Sequence, residues 1–148
     1  MQGIIFVGAQ ASGKSSFYME RFYSTHIRLN MDMLKTRHRE KILLTACLMA
    51  KQPVVLDNTN PNIEARARYL ERLKEAKFET VGYYFSSKIQ DCLARNAQRT
   101  EAERVPEAGV KGTFSKLVLP SFNEGFDFLY YVTLDDTGFK IEEWQDEL

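Results

Sequence analysis

The sequence predicts an α/β fold, a mainly parallel sheet with helices on both faces, and three observations carry that expectation. Short apolar runs alternate with amphipathic stretches along the whole chain, as in a succession of strand–helix–strand units. A glycine-containing turn, residues 8–15, stands between the first apolar run and the first amphipathic stretch. The chain has 148 residues, 44% of them hydrophobic and 27% charged, enough for one compact domain whose core needs no disulfide or metal. This composition excludes a disordered or low-complexity chain.

Residues 3–7, closed by Gly8, form a continuous apolar run and predict a buried strand. Residues 14–23 follow as a first helix. Residues 26–30 make a short strand, and 33–51 read as one long helix with apolar side chains at Leu34, Ile42, Leu43, Ala46 and Ala50. Residues 53–56 are a second strongly apolar strand, closed by Asp57-Asn58-Thr59-Asn60-Pro61. Residues 63–76 form an amphipathic helix rich in Arg and Glu, 80–85 the next strand, 88–99 the next helix and 128–134 a late strand. The polar stretch 100–104 has the composition of a mobile surface loop. Pro106 suits the first turn of a helix that Gly109 and Gly112 weaken. There is no internal repeat and no linker, so residues 1–148 are expected to be a single domain.

Net charge is zero, but its distribution is uneven. Residues 124–148 hold eight acidic side chains against Lys140 alone, so the residues before them carry seven more basic than acidic groups. A basic face beside an acidic end, or simply an acidic solvated tail, fits that pattern, and a polyanionic partner is not excluded. Cys47 and Cys92 show no Cys-x-x-Cys or Cys/His clustering and read as reduced thiols of a cytoplasmic protein. No apolar run approaches the ~20 residues of a membrane span, and the first residues lack a signal peptide's charged start.

Gly8-Ala9-Gln10-Ala11-Ser12-Gly13-Lys14-Ser15 fits the pattern G-x-x-x-x-G-K-[ST]. Its glycines let the backbone turn successive N–H groups inward onto phosphate oxygens, and the helix that opens here adds its positive dipole end. The cradle for a nucleoside triphosphate is expected from Gly8, Ala11, Ser12, Gly13, Lys14, Ser15 and Ser16. Lys14 meets the β- and γ-phosphates, and the Ser15 hydroxyl is placed to ligate Mg²⁺. The expected fold is thus the three-layer P-loop NTPase sandwich. The Asn-Lys-x-Asp motif of GTPases is absent, and motor ATPases need a longer chain, which leaves a small kinase or a compact nucleotide-binding module.

Phosphotransfer also needs a base at the acceptor hydroxyl and positive charge over the moving phosphoryl group. Asp32, just past the strand 26–30, is the candidate base, with helix N-cap as its other reading. Asp57 follows the second apolar strand and is a candidate for a water-mediated Mg²⁺ contact, or a turn residue before Pro61. Arg95 and Arg99, four apart, and Arg104 are the candidate charge-stabilising groups. Their plainer reading is a solvated face that pairs with Asp91, Glu101 and Glu103.

In this order the motifs resemble the kinase domain of polynucleotide 5′-hydroxyl kinases, the phage enzymes and the animal DNA-repair kinase–phosphatases. The resemblance rests on residues 8–15, Asn30-Met31-Asp32, Val54-Val55-Leu56-Asp57-Asn58-Thr59-Asn60-Pro61 with Arg66 downstream, and Arg95-Asn96-Ala97-Gln98-Arg99. It continues through Val105-Pro106 to Pro120-Ser121-Phe122-Asn123-Glu124-Gly125-Phe126. It implies ATP and Mg²⁺ as cofactors and a 5′-hydroxyl DNA or RNA acceptor. It assigns Asp32 as the base, Arg99 as the lid arginine with Arg95 in support across a lid at 95–106, and Asp32, Lys35, Asn58 and Arg66 to the acceptor. Lys35 stands where the phage enzyme has an arginine, and Asn58 where it has an aspartate. The phosphatase motif Asp-x-Asp-x-Thr does not occur in this sequence. Two alternatives stay open: a kinase of nucleosides or other small hydroxyl compounds, and a nucleotide-binding or ATPase regulatory module without phosphotransfer.

Overall fold

A computed structural model describes residues 1–86 and 88–145. The first apolar run is the strand β1 (Gln2–Val7). Helix α1 (Lys14–Arg21), strand β2 (Ile27–Leu29), and helices α2 (Met31–Leu34) and α3 (Arg37–Ala50) follow. Next come β3 (Val54–Leu56), α4 (Ile63–Glu75), β4 (Glu79–Ser86), α5 (Ile89–Ala97), α6 (Glu107–Lys116), β5 (Phe128–Asp135) and β6 (Gly138–Glu143). The sheet order is β2-β3-β1-β4-β5-β6, parallel up to β5, with β6 antiparallel at the edge.

Because side chains alternate across a strand, β1 feeds two cores. Ile5 and Val7 pack with Leu44, Leu48, Leu70 and Leu73 of α3 and α4. Ile4 and Phe6 pack with Phe17 and Tyr18 of α1 on the opposite face. Helices therefore cover both faces, and the expected α/β sandwich is the fold observed. Among the described residues no helix is long and apolar enough to cross a membrane.

Two expectations need correction. The long helix read over 33–51 is two helices, because Lys35 takes a φ of 70° and Thr36 then caps α3 by accepting from Arg39 N–H. The acidic end is in part an edge strand. Phe139 and Ile141 of β6 pack against the α1-side core, while Lys140 and Glu142 pair with each other in solvent. Asp146 and Glu147, counted in that acidic end, lie outside the described residues.

Candidate active site

Strands β1, β2 and β3 run parallel, with Ile5 opposite Leu56 and Leu29 also opposite Leu56, so the turns after them meet at one edge of the sheet. This is where parallel sheets present ligands. The turn after β1 is residues 8–15. Gly13 sits at φ 101°, which glycine adopts without the cost of a Cβ. A Cβ on Gly8 would lie 3.0 Å from Ser12 Oγ and from Phe85 Cβ. Gly8 N–H donates to Thr59 O at 3.0 Å, which ties this turn to the one after β3. Helix α1 opens at Lys14, so the first N–H groups, including those of Ser15 and Ser16, have no acceptor within the helix.

Lys14 Nζ donates to the carbonyls of Gly8 at 3.0 Å and Ala9 at 2.7 Å. Burial lowers its pKa to about 8, and the negative charge of Asp57 opposes that fall. Asp57 itself is buried. Its Oδ2 accepts from Ser15 Oγ at 3.1 Å and from Arg28 Nε at 2.7 Å, while Arg28 Nη2 donates to Ser15 Oγ at 2.9 Å. Among the described residues, the buried side-chain oxygens without a hydrogen bond are Gln10 Oε1, Ser12 Oγ and Asp57 Oδ1. Two belong to the phosphate-type loop and the third to the carboxylate hydrogen-bonded to it. A hydroxyl and a carboxylate with an unspent oxygen are the hard donors that Mg²⁺ takes, so the residues fit that cation.

On the other wall, Asn30 caps α2. Its Oδ1 accepts from Met33 N–H at 3.2 Å, and its Nδ2 donates to Asp57 O at 2.6 Å. Asp32 is therefore not the cap but an exposed residue in the first turn. Asn58 Oδ1 accepts from Met31 N–H at 2.9 Å, and Asn58 Nδ2 donates to Glu40 at 3.3 Å. Asn58 thus holds the turn that carries Asp32. A cavity of about 320 Å³ between these walls is lined by Ala11, Lys14, Ser15, Asp32, Asp57, Asn58 and Arg99, together with Arg37. Lys35 is exposed at the end of α2, away from that lining.

Helix α5 stops at Ala97, so Arg99 lies beyond it and does not share a helical face with Arg95. Arg95 Nη1 donates to Ala11 O at 3.2 Å, bracing the turn from outside the cavity. Buried Asn96 clamps the polar stretch: its Nδ2 donates to Val105 O, and its Oδ1 accepts from Val105 N–H at 2.9 Å. Arg104 Nη2 donates to Arg99 O at 3.0 Å.

Arg66 is the clearest departure from expectation. It is fully buried, paired bidentately with Glu124 at 2.8 and 3.1 Å, and donates to Asn60 O and Val118 O, each at 3.0 Å. With its guanidinium spent inside the protein, it is a structural knot between α4 and the segment before β5, not a group that meets an acceptor. Arg28, Arg37 and Asn96 were not foreseen as site residues. Only Arg28 gave a local signal, since strand alternation puts it on the same face as Asn30.

The sheet order and the loop geometry define the P-loop kinase fold. A family model described as an AAA domain matches residues 35–118, more than half of the chain, and the chain belongs to that family. The chain is 25% identical to a Schizosaccharomyces pombe protein named bifunctional polynucleotide phosphatase/kinase, over 97% of this chain and 35% of that protein. It thus spans about a third of that relative's length, and the resemblance read from the sequence is borne out. Among solved structures, it is similar to Chaetomium thermophilum Kti12 in complex with ADP-AlF3 (TM-score 0.65, 17% identity, 90% of each chain). It is also similar to the Mycobacterium tuberculosis APS kinase CysC in complex with AMPPNP and APS (TM-score 0.62, 22% identity, 90% of this chain and 88% of that one).

Proposed function

We propose that this chain is an ATP-dependent phosphotransferase that moves the γ-phosphate of ATP to the 5′-hydroxyl of a DNA or RNA strand. Its 148 residues would work in the cytoplasm as one kinase domain with a lid at 95–106. The observation that carries the reading is one cavity with Lys14 and Ser15 on one wall and exposed Asp32 on the other, with Arg99 also in its lining. The Schizosaccharomyces pombe relative's name, a polynucleotide phosphatase/kinase, supports the polynucleotide acceptor.

The roles follow from charge and reach. The N–H groups of the loop hold the β- and γ-phosphates, and Lys14 adds its ammonium to them. Ser15 and Asp57 would hold Mg²⁺, which neutralises phosphate charge when bound. Asp32 takes the proton of the acceptor hydroxyl as its oxygen bonds to the γ-phosphorus. The bond to the β–γ bridging oxygen breaks, and its electron pair leaves with ADP. Arg99 stabilises charge on the phosphoryl group in flight. Asn30 and Asn58 fix the turn on which Asp32 stands.

The test is incubation with labelled ATP, Mg²⁺ and a panel of 5′-hydroxyl oligonucleotides and nucleosides. Label transferred to oligonucleotides, with affinity falling as salt rises, is the expected result. Transfer only to nucleosides or other small hydroxyl compounds would overturn the polynucleotide acceptor. ATP hydrolysis with no acceptor labelled, unaffected by Asp32→Asn, would make the chain a regulatory nucleotide-binding module instead.

A further inference from the structure

Beyond the cavity that holds Asp32, a second one of about 200 Å³ lies between α3 and α4. Arg37 lines both, so the two adjoin across that side chain. Lys41, one turn on from Arg37, and Arg68 and Arg72, one turn apart on α4, stand around it, with Leu44 and Tyr69 as an apolar floor. We infer that this trough is a subsite for the backbone phosphates of a polynucleotide downstream of its 5′ end; the inference rests on the polynucleotide reading above.

The charge balance carries the argument. Among the described residues the one acid lining the trough is Glu40, and it is buried. Its oxygens accept from Tyr69 Oη at 3.0 Å each, from Arg37 Nη1 at 3.0 Å and from Asn58 Nδ2 at 3.3 Å, so its charge is spent inward. Among the described residues no carboxylate lies within 4.0 Å of the charged ends of Lys41, Arg68 or Arg72. Solvated helix faces usually alternate signs and pair them; this one gathers one sign around an apolar floor.

Three of the cations are also held in place. Arg37 donates to Tyr69 Oη at 2.8 Å, Arg72 donates to Thr45 Oγ1 at 2.8 Å, and the Arg68 guanidinium stands 5.9 Å over the Tyr69 ring. Cations ordered before binding lose less freedom when they meet an anion. A strand with its 5′-hydroxyl at Asp32 would leave past Arg37, and repeated phosphates on an apolar sugar scaffold match a row of cations over Leu44 and Tyr69. The donor nucleotide, at the other end of the first cavity, has no use for these residues.

The test uses the full chain and the variant Lys41→Gln/Arg68→Gln, two exposed side chains that make no hydrogen bond among the described residues, with a thermal melt to confirm folding. Binding of a fluorescent 5′-hydroxyl dodecanucleotide is measured against salt. The variant is expected to bind about tenfold more weakly, with a log–log salt slope shallower by about 1.4, about 0.7 for each phosphate no longer neutralised. Its ratio of KM for the dodecamer to KM for a dinucleotide should rise accordingly. Unchanged affinity, slope and ratio, with the wild type phosphorylating the dodecamer, would overturn the subsite and leave the kinase reading standing. A wild type that neither binds nor phosphorylates the dodecamer but phosphorylates nucleosides would overturn both. Equal displacement of the dodecamer by polyglutamate would overturn the nucleic-acid occupant in favour of an acidic peptide.

Discussion

Arg28 Nη2 donates to Ser15 Oγ at 2.9 Å while its Nε donates to Asp57 Oδ2 at 2.7 Å, so one strand arginine grips both side chains expected to hold Mg²⁺. The guanidinium is the counter-charge of a carboxylate buried to 1% exposure. Arg28→Met leaves Asp57 unpaired and should lower stability by about 2 kcal/mol, below the full effect of breaking a buried pair because Arg28 is partly exposed. Adding Mg²⁺ with ADP supplies a substitute cation, so the variant's melting temperature should rise more than the wild type's. Equal rises in a thermal-shift titration would refute this relationship.

Lys14 gives a pH dependence with a definite sign. Its pKa of about 8 in the folded chain lies below the unfolded value of 10.5, so the unfolded state binds more protons between those values. The contribution of Lys14 to stability therefore rises with pH across that window. Triphosphate binding favours the ammonium form, so ATP affinity should fall above pH 8 and binding should take up a proton there. Calorimetry in buffers of different ionisation enthalpy measures that uptake, and Lys14→Met should abolish both it and turnover while leaving the fold intact.

Asp32→Asn should cut turnover roughly 10²–10⁴-fold, the span a general base contributes. ADP affinity and melting temperature should hold, because the cap is Asn30. Asn30→Ala, by contrast, should cost about 1 kcal/mol of stability. If Asp32→Asn destabilises the fold and spares turnover, the residue is structural after all.

Arg66→Ala should destabilise the protein by about 3–5 kcal/mol, since Glu124 would stay buried without its partner. Whatever protein remains folded at low temperature should keep its acceptor KM. A raised KM with an unchanged melting temperature would return Arg66 to the acceptor.

Asn96→Ala removes both hydrogen bonds that clamp Val105 and should speed amide exchange across residues 98–106. Arg99 then loses its fixed approach to the cavity, so kcat should fall further than ATP affinity. Arg99→Ala should have the same kinetic effect without the exchange effect.

The order of strands and helices was legible because each depends on local periodicity. The loop was legible because its chemistry fixes glycine, lysine and serine within eight positions. The break at Lys35 was not, since a lysine with φ 70° carries no compositional mark, although Thr36, whose Oγ1 accepts from Arg39 N–H, is a residue type that favours helix N-caps. Strand β6 was hidden by its charges: Lys140 and Glu142 read as a solvated tail, while the alternating Phe139 and Ile141 marked a half-buried edge strand. Apart from the strand alternation that marks Arg28, no local pattern reveals Arg28, Arg37 and Asn96. Arg28 and Asn96 act on partners 29 and 9 positions away, and Arg37 reaches Tyr69, 32 positions away, as well as its neighbour Glu40.

Phe139 has a bearing on how the protein is made. Its ring lies 5.1 Å from Phe17 of α1, and a Cβ on Gly13 would stand 3.0 Å from it. The ring that backs the phosphate loop thus belongs to the last of these six strands to leave the ribosome, more than 120 residues after the loop itself. A nascent chain carries every expected phosphate ligand long before that packing exists. On the proposed reading, ATP should meet a finished loop only once β6 has folded onto the sheet, and added nucleotide should protect chains that include β6 from proteolysis without protecting those truncated before it.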